Sequence, residues 1–550
     1  MRPGSLLLFV FVISQFAFAQ LRPERVQGRS MVISSKGIVA TSQVLASQAG
    51  AMILAKGGSA VDAAIAANAV LGLTEPMMDG IGGDLFVLYQ DAKTGNISGL
   101  NASGPAPKAM TIEALEGKGL KAMAKDGIHS STVPGCVRGW EAMHKRYGKL
   151  PWKELFTPAI QFAEQGFPVY EIAAGFWESS LLRSNPESAR VFYPNGNALK
   201  EGEIFRNPDL GRAMRLIAEK GADAFYSGEI AKAIVATSAK QGGLISMEDL
   251  ASYKPEWVNP ISTTYRGWKL HELPPNGQGL AALSMLNMLE TFTPAPANST
   301  TELHRKIEAM KLAYADLRYV RDPLTGKVPT SGLIAKDYNA ERAKLINPKL
   351  ANCDVKPGSP AGVSDTTYFS VVDRDGNIAA WIQSVSGLWG SGVTVEGMGF
   401  PLHNRGSSFQ FDKTHPNALA PGKRPFHTII PAIVEKDDQH IAFGIMGGPN
   451  QPLAHAQFVS YLADYGLNIQ GALEGPRFTK NSATGCDVII ENRVGIEALT
   501  GLNHLGHQIS IVGPYSTAMG RGNAVSHNSK TKTNFAASDP RADGAAIPEP

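Results

Sequence analysis

Two adjacent hydroxyl residues, Thr366 and Thr367, follow Asp365 at the start of a predicted strand. Residues 366–372 are rich in Thr, Tyr, Phe and Val, which suit a half-buried pleated surface. An Asp-Gly turn comes next, and residues 378–385 are predicted to be the returning strand of a hairpin. The sequence therefore places two hydroxyl groups at the mouth of a core hairpin. On the hairpin alone, the simplest interpretation is that threonine begins strands well.

A threonine hydroxyl becomes a good nucleophile when a nearby base takes its proton. An N-terminal threonine carries such a base itself, because a free α-amino group has a pKa of about 7.7–8.0 and is partly neutral near neutral pH. A chain cut directly before a threonine would therefore carry nucleophile and base on one residue. No Ser-His-Asp triad is then required.

The hairpin sequence continues into Ser384-Val385-Ser386 and Trp389-Gly390. This stretch resembles the signature of the gamma-glutamyltranspeptidase family, and further similar segments extend over nearly the whole chain after residue 40. The resemblance implies an N-terminal-nucleophile hydrolase with an α+β fold, a four-layer αββα sandwich. It also implies a precursor that cuts itself into a large chain, 20–365, and a small catalytic chain, 366–550, which share one core.

The resemblance assigns the chemistry to particular residues. Thr366 corresponds to the nucleophile, Thr367 to its supporting neighbour and Ser384 to a hydroxyl that assists processing, while Asp365 and Thr366 flank the cut. Gly447 and Gly448 match the family's oxyanion glycines. They follow a predicted strand, and a paired-glycine turn presents backbone N–H groups without side-chain obstruction. Without the resemblance, this segment is a plain tight turn.

The substrate-binding positions depart from the family pattern. An Asn that contacts substrate is replaced by Ser386, an acidic or amide residue by Arg405, and the Asp that binds the substrate ammonium by Ser408. Two paired serines become His427 and Thr428. These departures remove partners for a charged amino-acid head but keep the catalytic residue types.

Two further observations bear on the acyl group. No Arg lies between Asn101 and Pro107, where the family carries one for the substrate α-carboxylate. The family's His two positions after the nucleophile is Tyr368 here. Arg405 is a candidate to accept an acidic acyl group without an amine. Arg424 is a second candidate for a carboxylate contact, although a structural ion pair explains it equally well.

These residues predict an autoprocessing amidohydrolase or acyltransferase. The first prediction is a gamma-glutamyltransferase-like enzyme that cleaves γ-glutamyl amides such as glutathione and passes the acyl group to water or an amine. The alternative within the family is a glutaryl- or oxamate-like amide. A third hypothesis is an exported binding protein that has lost processing. A serine hydrolase is disfavoured because no G-x-S-x-G motif occurs.

Chain length and net charge limit the classes of binding partner that the sequence predicts. A chain of 550 residues predicts one large domain or two. The net charge of +3 is too small to indicate binding to nucleic acid or an anionic membrane. The expected partners are a small-molecule amide or peptide and the protein's own two chains as a heterodimer. No cofactor and no metal are expected.

The cysteines and histidines support the expectation of no metal. Cys136, Cys353 and Cys486 are far apart and odd in number, so at least one is unpaired and no disulfide framework is predicted. His504 and His507 lack acidic or Cys neighbours, and we interpret them as the end of a helix leading into a strand.

The N-terminus predicts export. Arg2 precedes an apolar run from Leu6 to Ile13, and Ala17-Phe18-Ala19 resembles a signal-peptidase site. Residues 1–19 are thus a predicted signal peptide, and the mature protein is expected to be periplasmic or secreted, with no membrane contact after cleavage.

Local patterns predict several elements. Ser42 to Lys56 is a helix, and a capping box at Ser59 opens a second helix whose span from Ala63 to Leu73 should be buried. A third helix should begin at Gln457. The end of the chain, 526–550, is expected to finish against the sheet and then fray.

Overall fold

The computed structural model describes residues 27–355 and 365–550. Within these ranges, no helix is both long and apolar enough to cross a membrane. The predicted signal peptide and residues 356–364, which precede the expected cut, lie outside the described residues.

The strands of the described chain form two large sheets and two small ones. Their bounds are β1 (Val32–Ser34), β2 (Ile38–Thr41), β3 (Asp84–Gln90), β4 (Ile97–Ala102), β5 (Phe167–Pro168), β6 (Ile204–Phe205), β7 (Glu256–Val258), β8 (Ile261–Tyr265), β9 (Trp268–Glu272), β10 (Asp365–Val372), β11 (Ile378–Ser386), β12 (Ala432–Lys436), β13 (Gln439–Ile445), β14 (Phe478–Thr479), β15 (Asp487–Glu491), β16 (Gln508–Val512), β17 (Gly522–Asn528), β18 (Thr533–Ser538) and β19 (Ala545–Pro548).

The α-helices lie mainly on the outer faces of the two large sheets. Their bounds are α1 (Val44–Ala55), α2 (Ala60–Thr74), α3 (Ile112–Glu116), α4 (Cys136–Tyr147), α5 (Thr157–Gln165), α6 (Glu171–Gly175), α7 (Ser180–Arg183), α8 (Pro186–Phe192), α9 (Pro208–Lys220), α10 (Asp223–Tyr226), α11 (Glu229–Lys240), α12 (Met247–Ser252), α13 (Gly279–Glu290), α14 (Thr300–Asp316), α15 (Thr330–Leu333), α16 (Lys336–Ala343), α17 (Gln451–Ala463), α18 (Ile469–Glu474) and α19 (Ile496–His504).

The two large sheets are antiparallel and have seven strands each. One has the order β1-β18-β17-β13-β12-β9-β8, and the other has the order β19-β2-β10-β11-β3-β4-β7. Their inner faces pack through a shared cluster that includes Phe86, Tyr368 and Ile382 from the second sheet and Ile433 and Val525 from the first. Helices α1 and α2 cover the outer face of the second sheet, and α13, α14 and α17 cover that of the first. The predicted four-layer αββα sandwich is confirmed.

Helix α2 shows how the sequence specifies a buried layer. Ser59 accepts a hydrogen bond from the N–H of Asp62, and the Asp62 carboxylate accepts one from the N–H of Ser59, so both unpaired donors at the helix start are satisfied. Every residue of the helix is buried, as its all-round apolar sequence predicts. Helix α1 is also confirmed, and the side chain of Gln43 caps it.

Both large sheets combine strands from before and after Thr366. In the second sheet, β10 pairs with β2, β11 with β3 and β19 with β2. In the first sheet, β12 pairs with β9, and β18 with β1. Backbone hydrogen bonds therefore connect the predicted large and small chains across both layers.

The structure corrects three predictions made from local sequence. The end of the chain does not fray, because residues 522–548 form β17, β18 and β19 within the two large sheets. Helix α17 begins at Gln451, six residues before the predicted start, since Pro452 is acceptable in a first helical turn. Cys353 and Cys486 form a disulfide, and Cys136 is free and buried. This pairing was not predicted because the two cysteines are 133 positions apart in the sequence.

Candidate active site

Thr366 lies where the hairpin of β10 and β11 loses its regular register. Asp365 is opposite Ser386 and Thr367 is opposite Gln383, so the ladder shifts at Thr366. Ser386 has φ 80°, a left-handed conformation that is uncommon for residues other than glycine. A bulge of this kind re-aims a side chain and interrupts pairing. It sets the Asp365–Thr366 bond apart from the rest of the strand.

The Thr366 hydroxyl is fully buried and has two polar neighbours. Its Oγ1 donates to Ser384 Oγ at 3.4 Å, and Gln451 Nε2 donates to Thr366 Oγ1 at 3.3 Å. The orientation of the Gln451 amide is fixed because its Oε1 accepts from the N–H of Ile430 at 3.0 Å. The hydroxyl is therefore held in position on both its donor and its acceptor side.

Thr367 contacts a buried carboxyl group. Its Oγ1 donates to Glu75 Oε2 at 3.2 Å, and the Ser42 hydroxyl donates to the same oxygen. Burial raises the pKa of Glu75 above its ordinary value, and the positive charge of Arg521 acts against this rise. Glu75 is thus hydrogen-bonded to Thr367, the residue that follows the predicted nucleophile.

The Gly447-Gly448 turn directly precedes helix α17, which begins at Gln451. Both glycines have positive φ, 134° and 57°, and they connect β13 to Gln451 at the start of α17. Gln278 Nε2 donates to Gly448 O at 2.9 Å and to Thr428 O at 2.7 Å. In the part of the chain that the structure describes, neither glycine N–H has an acceptor. The turn therefore offers two backbone donors, and it lies just before Gln451, whose side chain contacts the Thr366 hydroxyl.

Arg405 brings a positive charge to the same place. Its side chain is buried, with Nη1 donating to Thr428 Oγ1 at 2.8 Å and Nη2 donating to Ser384 Oγ at 3.3 Å. Burial lowers the pKa of Arg405 to about 10, and the negative charge of Asp84 partly offsets this effect. The guanidinium is still charged at neutral pH and lies two hydrogen bonds from Thr366.

Asp84 is buried next to this guanidinium. The N–H groups of Gly104 and Gly135 donate to its Oδ1 at 3.1 and 3.2 Å, and its Oδ2 is hydrogen-bonded to His427 Nε2 at 3.0 Å. Burial raises the pKa of Asp84 to about 7, although Arg405 favours the ionised form. Burial also lowers the pKa of His427 well below its ordinary value, so the imidazole is neutral.

Asp84→Asn is expected to remove the contribution of Asp84 to the pH dependence of stability between about pH 4 and pH 7. In this window the folded state holds a proton on Asp84, whose pKa is about 7, and the unfolded state, with a pKa near 3.8, does not. Asp84 therefore contributes a decline in the unfolding free energy as pH rises, of at most about 1.4 kcal/mol per pH unit. Urea unfolding at several pH values, with Thr366→Ala present in both proteins so that the chain stays uncut, measures the slope of the unfolding free energy against pH.

The matched control for this experiment is Asp412→Asn. Asp412 is exposed, and hydrogen bonds from Thr414 lower its pKa below 3.8, so its titration falls outside the window. The control should keep the parental slope. A parental slope in Asp84→Asn would show that Asp84 does not hold a proton in the folded protein.

The structure does not bring all of the predicted substrate-binding residues to Thr366. Ser386 N–H donates to Ser384 Oγ at 2.8 Å, and Thr428 accepts from Arg405, so both belong to the hydrogen-bond network that reaches Thr366. The Ser408 hydroxyl instead donates to two backbone oxygens, Arg405 O at 3.1 Å and Phe426 O at 3.0 Å.

Arg424 is bound by carboxylates in the described structure. Its Nη2 donates to Asp322 Oδ1 at 2.7 Å, and its Nη1 donates to Glu256 Oε2 at 2.6 Å. These contacts are the structural ion pair that the sequence analysis gave as the alternative for Arg424. A contact between Arg424 and substrate stays a prediction. The side chain of Tyr368 lies between the two sheets and not at the nucleophile.

Sequence reasoning missed Glu75, Asp84 and Gln451. The only local signals are their positions: Glu75 ends a buried helix, Asp84 follows a glycine cluster, and Gln451 follows the paired glycines. A charged residue at the end of an otherwise apolar buried segment is unusual and requires a buried partner. That signal could have singled out Glu75 and Asp84.

One group of described residues has the composition of a metal site. His304, Glu308 and His507 are buried, and their candidate ligand atoms lie within 4.8 Å of one another. However, Lys311 Nζ is 2.5 Å from Glu308 Oε1, and His304 Nδ1 and His507 Nε2 are hydrogen-bonded at 2.8 Å. The positive charge of Lys311 opposes the binding of a cation there.

The fold and this arrangement define an N-terminal-nucleophile hydrolase: a four-layer αββα sandwich with a threonine at the head of a central strand. Residues 46–549 match the model of the family described as Gamma-glutamyltranspeptidase. The chain therefore belongs to the gamma-glutamyltranspeptidase family.

Individual relatives in this family carry different substrate names. The chain is 37% identical to the glutathione hydrolase-like YwrD proenzyme of Bacillus subtilis, covering 94% of this chain and 99% of the relative. It is 32% identical to the oxamate amidohydrolase proenzyme of Klebsiella pneumoniae, over 94% and 98%. The crystal structure of a cephalosporin acylase from Bacillus halodurans has a TM-score of 0.88 and 39% identity, covering 96% of this chain and 98% of that one.

Proposed function

We propose that this family member is an autoprocessing N-terminal-threonine amidohydrolase whose nucleophile is Thr366. The observation that carries the proposal is the placement of the Thr366 hydroxyl. It lies at a break in the β10–β11 register and between Ser384 and Gln451. A structural threonine at the start of a strand needs neither the bulge nor the paired polar contacts.

Processing follows from this placement. Thr366 Oγ attacks the carbonyl carbon of Asp365, and the peptide C–N bond breaks as the threonine nitrogen takes a proton. The product is an ester between Asp365 and Thr366 Oγ, with a free α-amine. Water then hydrolyses the ester, which gives the Asp365 carboxylate and restores the Thr366 hydroxyl. Ser384 is placed to assist by accepting a hydrogen bond from the Thr366 hydroxyl, which makes its oxygen more nucleophilic.

Substrate cleavage uses the same atoms. The new α-amine of Thr366 takes the hydroxyl proton while Oγ attacks the amide carbonyl of the substrate. The N–H groups of Gly447 and Gly448 stabilise the oxyanion, because they are fixed donors in a dry site. The amine product leaves with the proton. Water or an acceptor amine then attacks the acyl-enzyme and releases the acyl group.

The acyl group is proposed to carry a carboxylate. The buried guanidinium of Arg405 is two hydrogen bonds from Thr366 and supplies a positive charge at the acyl end of the site. A charge-assisted hydrogen bond to it would contribute roughly 1.5–3 kcal/mol. A γ-glutamyl group, as in glutathione, satisfies this requirement and is the first candidate, since several relatives are named glutathione hydrolase.

A second candidate is an acyl group that has a carboxylate and no ammonium, such as glutaryl or oxamyl. The specific observation in its favour is Ser408, which replaces an acidic partner and uses its hydroxyl on two backbone oxygens. A γ-glutamyl ammonium would find no carboxylate at that position. The relatives named oxamate amidohydrolase and cephalosporin acylase also support this candidate.

The proposed setting is outside the cytoplasm, after removal of residues 1–19. In this setting the working enzyme is a heterodimer of chains 20–365 and 366–550, held together by the shared sheets. The third hypothesis, a binding protein that is never processed, predicts a single chain under all conditions.

The proposal is tested by the mature chain on a reducing, denaturing gel, with N-terminal sequencing of the smaller band. We expect that band to begin at Thr366. The purified protein is then assayed with γ-glutamyl, glutaryl, oxamyl and acetyl anilides. An acyl group with a carboxylate should be preferred over acetyl. A single intact band from correctly folded protein would favour the binding-protein hypothesis instead.

A further inference from the structure

We infer that the Cys353–Cys486 disulfide joins the two processed chains, so that the mature enzyme is a covalently linked heterodimer. The inference rests on the proposed cleavage between Asp365 and Thr366. Cys353 lies before that bond and Cys486 after it, and the two Cα atoms are 4.9 Å apart. In the uncut chain the disulfide closes a loop. After the cut it becomes a bond between two polypeptides.

The backbone around the disulfide is anchored independently of the cleavage site. Ala351 N–H donates to Leu505 O at 2.7 Å, which itself connects the two chains, and Gln508 N–H donates to Cys486 O at 2.7 Å. Lys311 Nζ donates to Asn352 O at 2.7 Å. Cutting the chain at Thr366 leaves these contacts in place, so the two sulfur atoms are not expected to separate.

The third cysteine is not a competing partner. Cys136 is fully buried in the core on the outer side of the second sheet, where its Sγ is 4.0 Å from Asn68 Oδ1. Burial raises the pKa of its thiol well above the ordinary value, which disfavours the thiolate needed for exchange. Cys353 is exposed and accessible to an oxidant. One interchain bond and one inert thiol account for the odd number of cysteines.

Formation of the bond requires an oxidant. The thiols of Cys353 and Cys486 together lose two protons and two electrons, and a disulfide-bearing oxidase or oxidised glutathione takes up both and becomes a dithiol or two thiols. Such disulfides form and persist in compartments outside the cytoplasm. The bond is therefore consistent with the export predicted from residues 1–19.

The decisive measurement is denaturing electrophoresis of the oxidised wild-type protein, alkylated with N-ethylmaleimide and run with and without reductant. We expect one band of the full mature mass without reductant and two bands with it. Two bands under both conditions would overturn the interchain bond and leave the proposed cleavage intact. One band under both conditions would overturn the cleavage and, with it, the inference.

Variants identify the cysteines responsible. Cys353→Ser and Cys486→Ser should each give two bands without reductant, whereas the matched control Cys136→Ser should stay linked. If the first two variants do not fold, mass spectrometry of the proteolysed wild-type protein replaces them. A peptide pair joined through Cys353 and Cys486 supports the inference, and alkylated Cys353 and Cys486 in most of the protein contradict it.

Discussion

Thr366→Ala is expected to leave the chain uncut and to lower amidase activity by roughly 10⁴-fold or more, as loss of a covalent nucleophile commonly does. Alanine removes the Oγ that attacks both Asp365 and the substrate carbonyl, so processing and turnover fail together. Reducing electrophoresis reports the first effect, and an anilide assay reports the second. The sheets should be unaffected, because the Thr366 side chain contributes only weak polar contacts.

Thr366→Ser is the control for this substitution. Serine keeps the hydroxyl at the same position between Ser384 and Gln451, so cleavage and turnover should persist at a reduced rate. Circular dichroism and the melting temperature establish that both variants are folded. A cut and active Thr366→Ala protein would assign the nucleophile to another residue.

Replacement of Arg405 by Gln has the second-largest expected effect. The loss of one charge-assisted contact, about 1.5–3 kcal/mol, corresponds to a decrease of roughly 10- to 150-fold in kcat/KM for a glutaryl or γ-glutamyl anilide. The decrease for an acetyl anilide should be much smaller, because that substrate has no carboxylate. The ratio of the two kcat/KM values on fully processed enzyme is the measurement.

The ratio of the two kcat/KM values distinguishes a role of Arg405 in binding the substrate carboxylate from a role in positioning Ser384 and Thr366. Arg405 also donates to Ser384 and Thr428, so its loss could disturb the nucleophile directly. An equal loss on both substrates would assign Arg405 a positioning role and contradict the proposed carboxylate contact. Arg405→Lys keeps the charge and should recover part of the selectivity, although an ammonium lacks the planar fork of arginine.

Much of the fold around the nucleophile follows from short stretches of sequence. The Thr366–Val372 strand, its Asp-Gly turn and the returning strand are present in the structure. The capping box at Ser59 and the buried helix after it are also confirmed. In each case the determining interactions lie within a few residues, so side-chain type and spacing contain the necessary information. The sandwich itself was implied by family resemblance and not by periodicity.

The interactions that complete the site connect residues far apart in sequence. Glu75 and Thr367 are 292 positions apart, Gln451 and Thr366 are 85 apart, and the two disulfide cysteines are 133 apart. No local pattern encodes such pairs, because they depend on how the two sheets bring their strand ends together. The end of the chain was correctly expected to reach the sheet, but the expected fraying was wrong, since its polar residues pair as strands inside both large sheets.

The complete burial of Thr366 makes processing a test of assembly. In the folded protein the Thr366 hydroxyl is held by Ser384 and Gln451, and an unfolded chain does not hold these two side chains against it. Under the proposed mechanism, only a chain that has formed both sheets can activate itself. The ratio of uncut precursor to cut product then reports the fraction of chains that have folded correctly. Destabilising substitutions far from the site should accumulate precursor before they lower the activity of the cut enzyme.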